Sequence, residues 1–194
     1  MFSPIVRSLA LLGSGAVLWI AAPAAAECAH DKVRVNLPAQ RLDERVLALA
    51  KASGCFMEVD TTSLADKQAR RLRGRMTAGT ALYRSLRGSG LEAAPVKGHW
   101  RIDRRQQERF ARRVATLRAT TAAQRERDAI TAPRARDADQ SLRHVERAVP
   151  RRVNEQAHLS VTERVRYDAK LDRVARRIGA PPTPLPSGWV APAL

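Results

Sequence analysis

The chain has 194 residues, carries 35 Lys and Arg against 19 Asp and Glu for a formal net charge of +16, and is only 4% aromatic. That length allows one or two domains, but the apolar residues are spread too unevenly for a chain packed alike from end to end. Residues 27–103 hold 14 basic against 9 acidic residues, whereas residues 104–194 hold 20 against 10 and most of the prolines, so the two halves are different kinds of polymer.

The first 26 residues read as a leader. Arg7 gives a positive start, Leu9 to Ala22 an apolar run, and Ala24-Ala25-Ala26 the small residues that a signal peptidase accepts. The run is shorter than the ~20 residues of a membrane span. An uncleaved anchor is the alternative. Lipoprotein processing is disfavoured because Glu27 stands directly before Cys28. The expectation is a mature chain from Glu27, exported to the periplasm and associated there or at the outer membrane. In such an oxidising compartment Cys28 and Cys55 are expected to form a disulfide, with two unpaired thiols as the alternative. The bridge would tie the first two strands, taken as neighbours, at one end and contribute on the order of 3 kcal/mol.

In chain order, Val33, Val35 and Leu37 alternate with Arg34 and Asn36 as in a half-buried strand, ended by Pro38. Leu42, Val46 and Leu49 then recur at helical spacing, with Asp43 and Glu44 in the first turn and Ser53-Gly54 as the stop. Cys55 to Val59 is a short strand, and Arg71 to Arg73 a further strand running into Gly74. Thr77 is an N-cap and Met76 a staple for a helix that buries Leu82 and Leu86. Gly88 or Gly90 closes that helix in the left-handed conformation. Leu91 to Ala94 and His99 to Ile102 form a closing hairpin. The order strand, helix, strand, strand, helix, strand, strand implies an α+β fold of two βαβ-type halves.

These residues carry a resemblance. The stretches Leu37-Pro38-Ala39-Gln40-Arg41-Leu42, Leu47 to Gly54, Gly74 to Leu86 and Gly88-Ser89-Gly90-Leu91 together resemble the secretin and TonB N-terminal short domain, over Val33 to Ile102. That periplasmic module stands at the front of outer-membrane secretins and of TonB-dependent receptors that signal. The resemblance implies a role in protein contact rather than catalysis, with a transmembrane sigma-factor regulator as the partner. A place as a structural accessory of a secretion or uptake complex is the alternative. The 91 residues after Asp103 lack the alternating segments of a membrane barrel, so this chain is not itself the pore.

From Arg104 to Gly179 the pattern is helical but thin. Phe110, Val114 and Leu117 make one stripe; Leu142, Val145 and Val149 make another before Pro150. Ser160-Val161-Thr162-Glu163 has the form of a capping box, followed by Val165, Leu171, Val174 and Ile178. Such narrow stripes suit a partner helix or a surface, and the helices are expected to be marginal alone. Residues 180–194, with Pro181-Pro182-Thr183-Pro184-Leu185-Pro186 and Trp189, read as a disordered tail.

No constellation for chemistry emerges. His30, His99, His144 and His158 are scattered, Gly88-Ser89-Gly90 follows a helix instead of opening one, and Asp43-Glu44 and the other carboxylates stand beside Arg or Lys as on solvated helix faces. The expectation is no enzyme, no metal and no cofactor. Candidate partner contacts are Phe56 and Glu58 on one edge strand, Trp100 on the strand His99 to Ile102 taken as another, and the exposed face of Arg84 and Arg87. Trp100 also reads as cover for the sheet. The doublets Arg104-Arg105, Arg112-Arg113, Arg151-Arg152 and Arg176-Arg177 are expected to be solvated helix surface, with an anionic envelope surface as their alternative target and nucleic acid disfavoured for an exported chain.

Overall fold

A computed structural model describes residues 32–181, apart from Asp60, Ala65 and Lys97. Residues 1–31, with the expected leader and Cys28, and residues 182–194 lie outside the described residues. The fold is α+β.

β1 (Lys32–Leu37) pairs antiparallel with β5 (Leu72–Thr77), with Val35 opposite Gly74 and Leu37 opposite Leu72. Odd positions of β1 therefore face inward and Lys32, Arg34 and Asn36 outward, as the two-residue period requires. A two-residue strand, β2 (Gln40–Arg41), precedes α1 (Leu42–Ser53) and pairs with β4 (Gln68–Ala69). Helix α1 buries Leu42, Val46 and Leu49, and stops at Gly54 with φ 66°. Helix α2 (Ala78–Leu86) begins where expected: Thr77 Oγ1 accepts from Thr80 N at 3.2 Å. Leu82 and Leu86 are fully buried, and Gly88 and Gly90 both adopt positive φ after the helix.

β3 (Met57–Val59), β6 (Glu92–Val96) and β7 (His99–Asp103) form a three-stranded sheet in the order β3-β7-β6, with β3 parallel and β6 antiparallel to β7. The strands flanking each helix thus go to different sheets: the opening strands of the two halves pair as β1 with β5, and the closing strands as β3 with β7. Two consequences correct the sequence reading. The strands following Cys28 and Cys55 are not neighbours in a sheet, and His99 to Ile102 is a central strand rather than an edge, because only the middle position reaches two partners. The interleaving draws Leu42, Leu49, Leu64, Leu82, Leu86, Leu91 and Ile102 into one core, all at or below 1–2% exposure.

α3 (Arg105–Glu126), α4 (Ala132–Gln156) and α5 (Val161–Arg177) build a second core from Phe110, Val114 and Leu117 on α3, Leu142, Val145 and Val153 on α4, and Leu171 and Val174 on α5. The narrow stripes do not await an outside helix; three of them cover each other. Ser160 and Glu163 form the reciprocal capping box at the start of α5. Helix α4 does not end before Pro150 but runs on to Gln156, since Val149 and Val153 stay on its buried face.

The two cores meet along α2 and the end of α4. Gly88 N donates to Asn154 O and Ala93 N to Ala157 O, both at 2.9 Å. Ala157, at φ 61° and fully buried, ends α4 and places its methyl group in the first core. Tyr83 stacks on His158 with ring centroids 4.3 Å apart.

Candidate partner-binding surface

With β7 central, the open edge of the three-stranded sheet is β3, which has a strand on one side only. The other edge, β6, is occupied at Ala93 by the end of α4 and contains Pro95, which has no N–H to offer. Immediately before β3 stands Phe56, 67% exposed. Leaving an aromatic ring of that size in water forgoes its burial, which is worth about 2 kcal/mol. The ring is nevertheless held: His99 meets it edge-on at 5.7 Å, and His99 Nε2 lies 3.1 Å from Glu58 Oε2. Phe56, Glu58 and His99 therefore form one exposed cluster at the β3 edge. The sequence marks Phe56 and Glu58 individually and His99 only as the start of a candidate strand, because its pairing beside β3 joins residues about 40 positions apart.

Trp100 points elsewhere. Its ring lies against Gly79 of α2, so close that a Cβ there would sit 2.7 Å from Cζ2, and it meets Tyr83 edge-on at 5.5 Å. Trp100 Nε1 is buried without a hydrogen-bond partner. Arg84 and Arg87 are exposed on and just after α2, and no ion pair holds either among the described residues. They share that helix with Trp100's packing site, not the edge of Phe56 and Glu58. Cys55 is buried, 3% exposed; its expected partner Cys28 is outside the described residues.

The arginine doublets are largely committed internally. Arg104 Nε donates to Gly90 O at 3.3 Å, Arg105 pairs with Asp103 at 3.2 Å, Arg112 with Glu108 at 3.6 Å, and Arg113 with Asp168 at 2.7 Å and also with Asp172. Arg152 reaches Glu163 at 3.0 Å and Glu155 at 3.1 Å, while Arg151 approaches Glu155 at 3.8 Å. Asp168, 5% exposed, also takes both Nη groups of Arg109, and Arg118 of α3 binds Glu146 of α4 with two. The acids of α4 and α5 are mostly spent in clamping the bundle. Among the described residues no three His, Cys, Asp or Glu side chains are grouped as a metal site would need, and no helix is long and apolar enough to cross a membrane.

No protein-family model matches the chain, and no curated protein does. Among solved structures it is similar to the ferripyoverdine receptor of the outer membrane of Pseudomonas aeruginosa, crystallised with bound ferripyoverdine, at 17% identity and a TM-score of 0.36 over 37% of this chain and 10% of that one. The chain thus spans about a tenth of that receptor's length. At that score the likeness assigns neither function nor partner.

Proposed function

We propose that this protein is a periplasmic interaction module that works as the signalling domain of TonB-dependent receptors does, by contact with the periplasmic part of a transmembrane sigma-factor regulator. The observation that carries the reading is the open β3 edge beside an exposed Phe56. An extended segment of the regulator would add as a fourth strand: its main chain supplies affinity, and side chains meeting Phe56 and Glu58 set the register. The resemblance of Val33 to Ile102 to the secretin and TonB short domain supports the same partner class. Nothing in this mode of action requires a cofactor or a bond-making step.

The test is capture of the regulator's periplasmic segment by the full chain, compared with the Phe56→Ala and Glu58→Arg variants. Each substitution is at an exposed position and should leave folding intact while weakening capture about tenfold, as truncation of a central contact typically does. Capture that is undiminished by both substitutions removes the β3 edge from the proposal. Recovery instead of a secretin or another outer-membrane complex, with the regulator absent, would support the accessory role.

A further inference from the structure

Several of the cations left without acids share one face of α5. Arg166, Lys170, Arg173 and Arg177 recur along α5 at the four- and three-residue spacing of one helical face. Opposite them α4 presents His144 and Arg151, and the two helices enclose a cleft of about 320 Å³ floored by Ala148 and Tyr167. A smaller groove of about 190 Å³, lined by Ser141, Lys170, Arg173 and Arg177, continues it. The nearby carboxylates are turned away. Asp168 and Asp172 face α3, where they hold Arg109 and Arg113; Glu146 holds Arg118; and Glu155 and Glu163 are engaged by Arg152 at the rim of the cleft, with Glu155 also 3.8 Å from Arg151. Asp137, one helical turn before Ser141, pairs with none of these cations.

The cost of the arrangement is visible in its two softer bases. Burial first, then Arg173 and Arg166, holds the Lys170 ammonium below its ordinary range. Burial, then Lys170, Arg147, Arg151 and Arg166, does the same to His144. Among the described residues the groove is thus a local excess of positive charge, offset only where Glu155 approaches Arg151 at 3.8 Å.

We propose that the α4–α5 groove is a binding site for a phosphate-bearing anion, held by Arg166, Lys170 and Arg173 of α5 and by Arg151 of α4. The guanidinium forks match phosphate oxygens with paired N–H donors, and Lys170 supplies a mobile point charge between them. Arg166 is steadied for this by its own helix neighbour, with its Cζ 5.5 Å from the centre of the Tyr167 ring. The cleft lies at the small end of the range for ligand sites, which fits a headgroup or a compact phosphate ester better than a long polymer. This site is on the helical bundle and stands apart from the β3 edge, so its fate does not depend on that of the proposed regulator contact.

The experiment is calorimetric titration of the full chain with pyrophosphate. The Lys170→Ala/Arg173→Ala double variant is compared with Arg134→Ala/Arg136→Ala, which removes two positive charges from the exposed first turns of α4, away from the groove. Saturable binding by the wild type, about tenfold or more weaker in the α5 variant and nearly unchanged in the Arg134→Ala/Arg136→Ala variant, supports the site. Equal weakening in both variants, or no saturable binding by the wild type, overturns it, because net charge alone would then account for any attraction. Flotation with phosphatidylglycerol and phosphatidylcholine vesicles distinguishes the sources. Retention on the anionic vesicles that is lost with the α5 variant identifies a lipid headgroup, and pyrophosphate binding without retention identifies a soluble phosphate. Vesicle retention that survives the α5 substitutions also overturns the proposal.

Discussion

At the scale of single residues, Arg45 is the position where sequence pattern and structure part company. It lies on α1 among Leu42, Val46 and Leu49, is fully buried, and forms no ion pair among the described residues. Its Nη2 donates to Pro38 O and its Nη1 to Ser85 Oγ at 3.3 Å, while Nε has no partner. Burial accordingly pushes the guanidinium below its ordinary value. Two neutral acceptors compensate a buried cation poorly, and an apolar side chain of similar length in such a place is often as stable or more so. Arg45→Met should therefore leave the midpoint of urea unfolding unchanged or raised. Arg45→Ala, which opens a cavity between α1 and α2, should lose about 3 kcal/mol. Equal loss in both variants would show that the bonds to Pro38 and Ser85 outweigh the cost of desolvation.

At the scale of elements, each helix is shaped by what it touches as much as by what it contains. Gly79 occupies the second position of α2, where alanine would ordinarily gain up to about 1 kcal/mol. Here a Cβ would meet Trp100 Cζ2 and Cη2 at 2.7 and 2.8 Å, and that ring is also hemmed by Tyr83 one turn on. Gly79→Ala should therefore destabilise, by about 1–3 kcal/mol, read as a lowered melting temperature. Pro150 gives the opposite case. It is exposed within α4 and cannot donate to the carbonyl four residues back, yet the helix continues because Val149 and Val153 are packed on either side of it. Pro150→Ala should raise stability by about 1–3 kcal/mol in the same assay. These two positions mark the limit of what the chain shows in one dimension. Alternation in β1, the Thr77 cap and the Ser160–Glu163 box were legible because their physics is local. The pairing of β1 with β5, the central place of β7 and the mutual cover of α3, α4 and α5 depend on contacts far apart in sequence. The arginine doublets drew attention as runs, but adjacent helical residues face different ways; the i, i+4, i+7 series from Arg166 was the spacing that carried spatial meaning. Phe56 was legible as a contact on an edge strand, and its pairing with His99 was not.

At the scale of the whole molecule, the two cores are joined through a carboxyl group. Glu92 at the start of β6 is 2% exposed, and its Oε1 accepts from Gln106 N, so it caps α3 from a different element in place of Arg104, whose side chain makes no cap. The amino end of α3 favours the ionised form, but burial opposes it more strongly, and with Asp103 adding repulsion the carboxyl is pushed up to about 7 from an ordinary 4.5. Its Oε2 has no hydrogen-bond partner, and neither does Arg164 Nε on α5, although the Arg164 charge acts on Glu92. Because the folded chain holds this proton more tightly than the unfolded one, the contribution to stability is complete below about pH 4.5 and is lost as pH rises through about 7. The loss amounts to about 3 kcal/mol at alkaline pH. Glu92→Gln keeps an oxygen for Gln106 N and removes the titration. The difference in unfolding free energy between the variant and the wild type should thus be small at pH 4.5 and grow in the variant's favour through pH 8, other groups cancelling in the subtraction. A difference that stays flat across that interval would mean Glu92 is already ionised in the folded chain, with Arg164 and the end of α3 together outweighing its burial. Its removal would then weaken the joint between the cores at every pH.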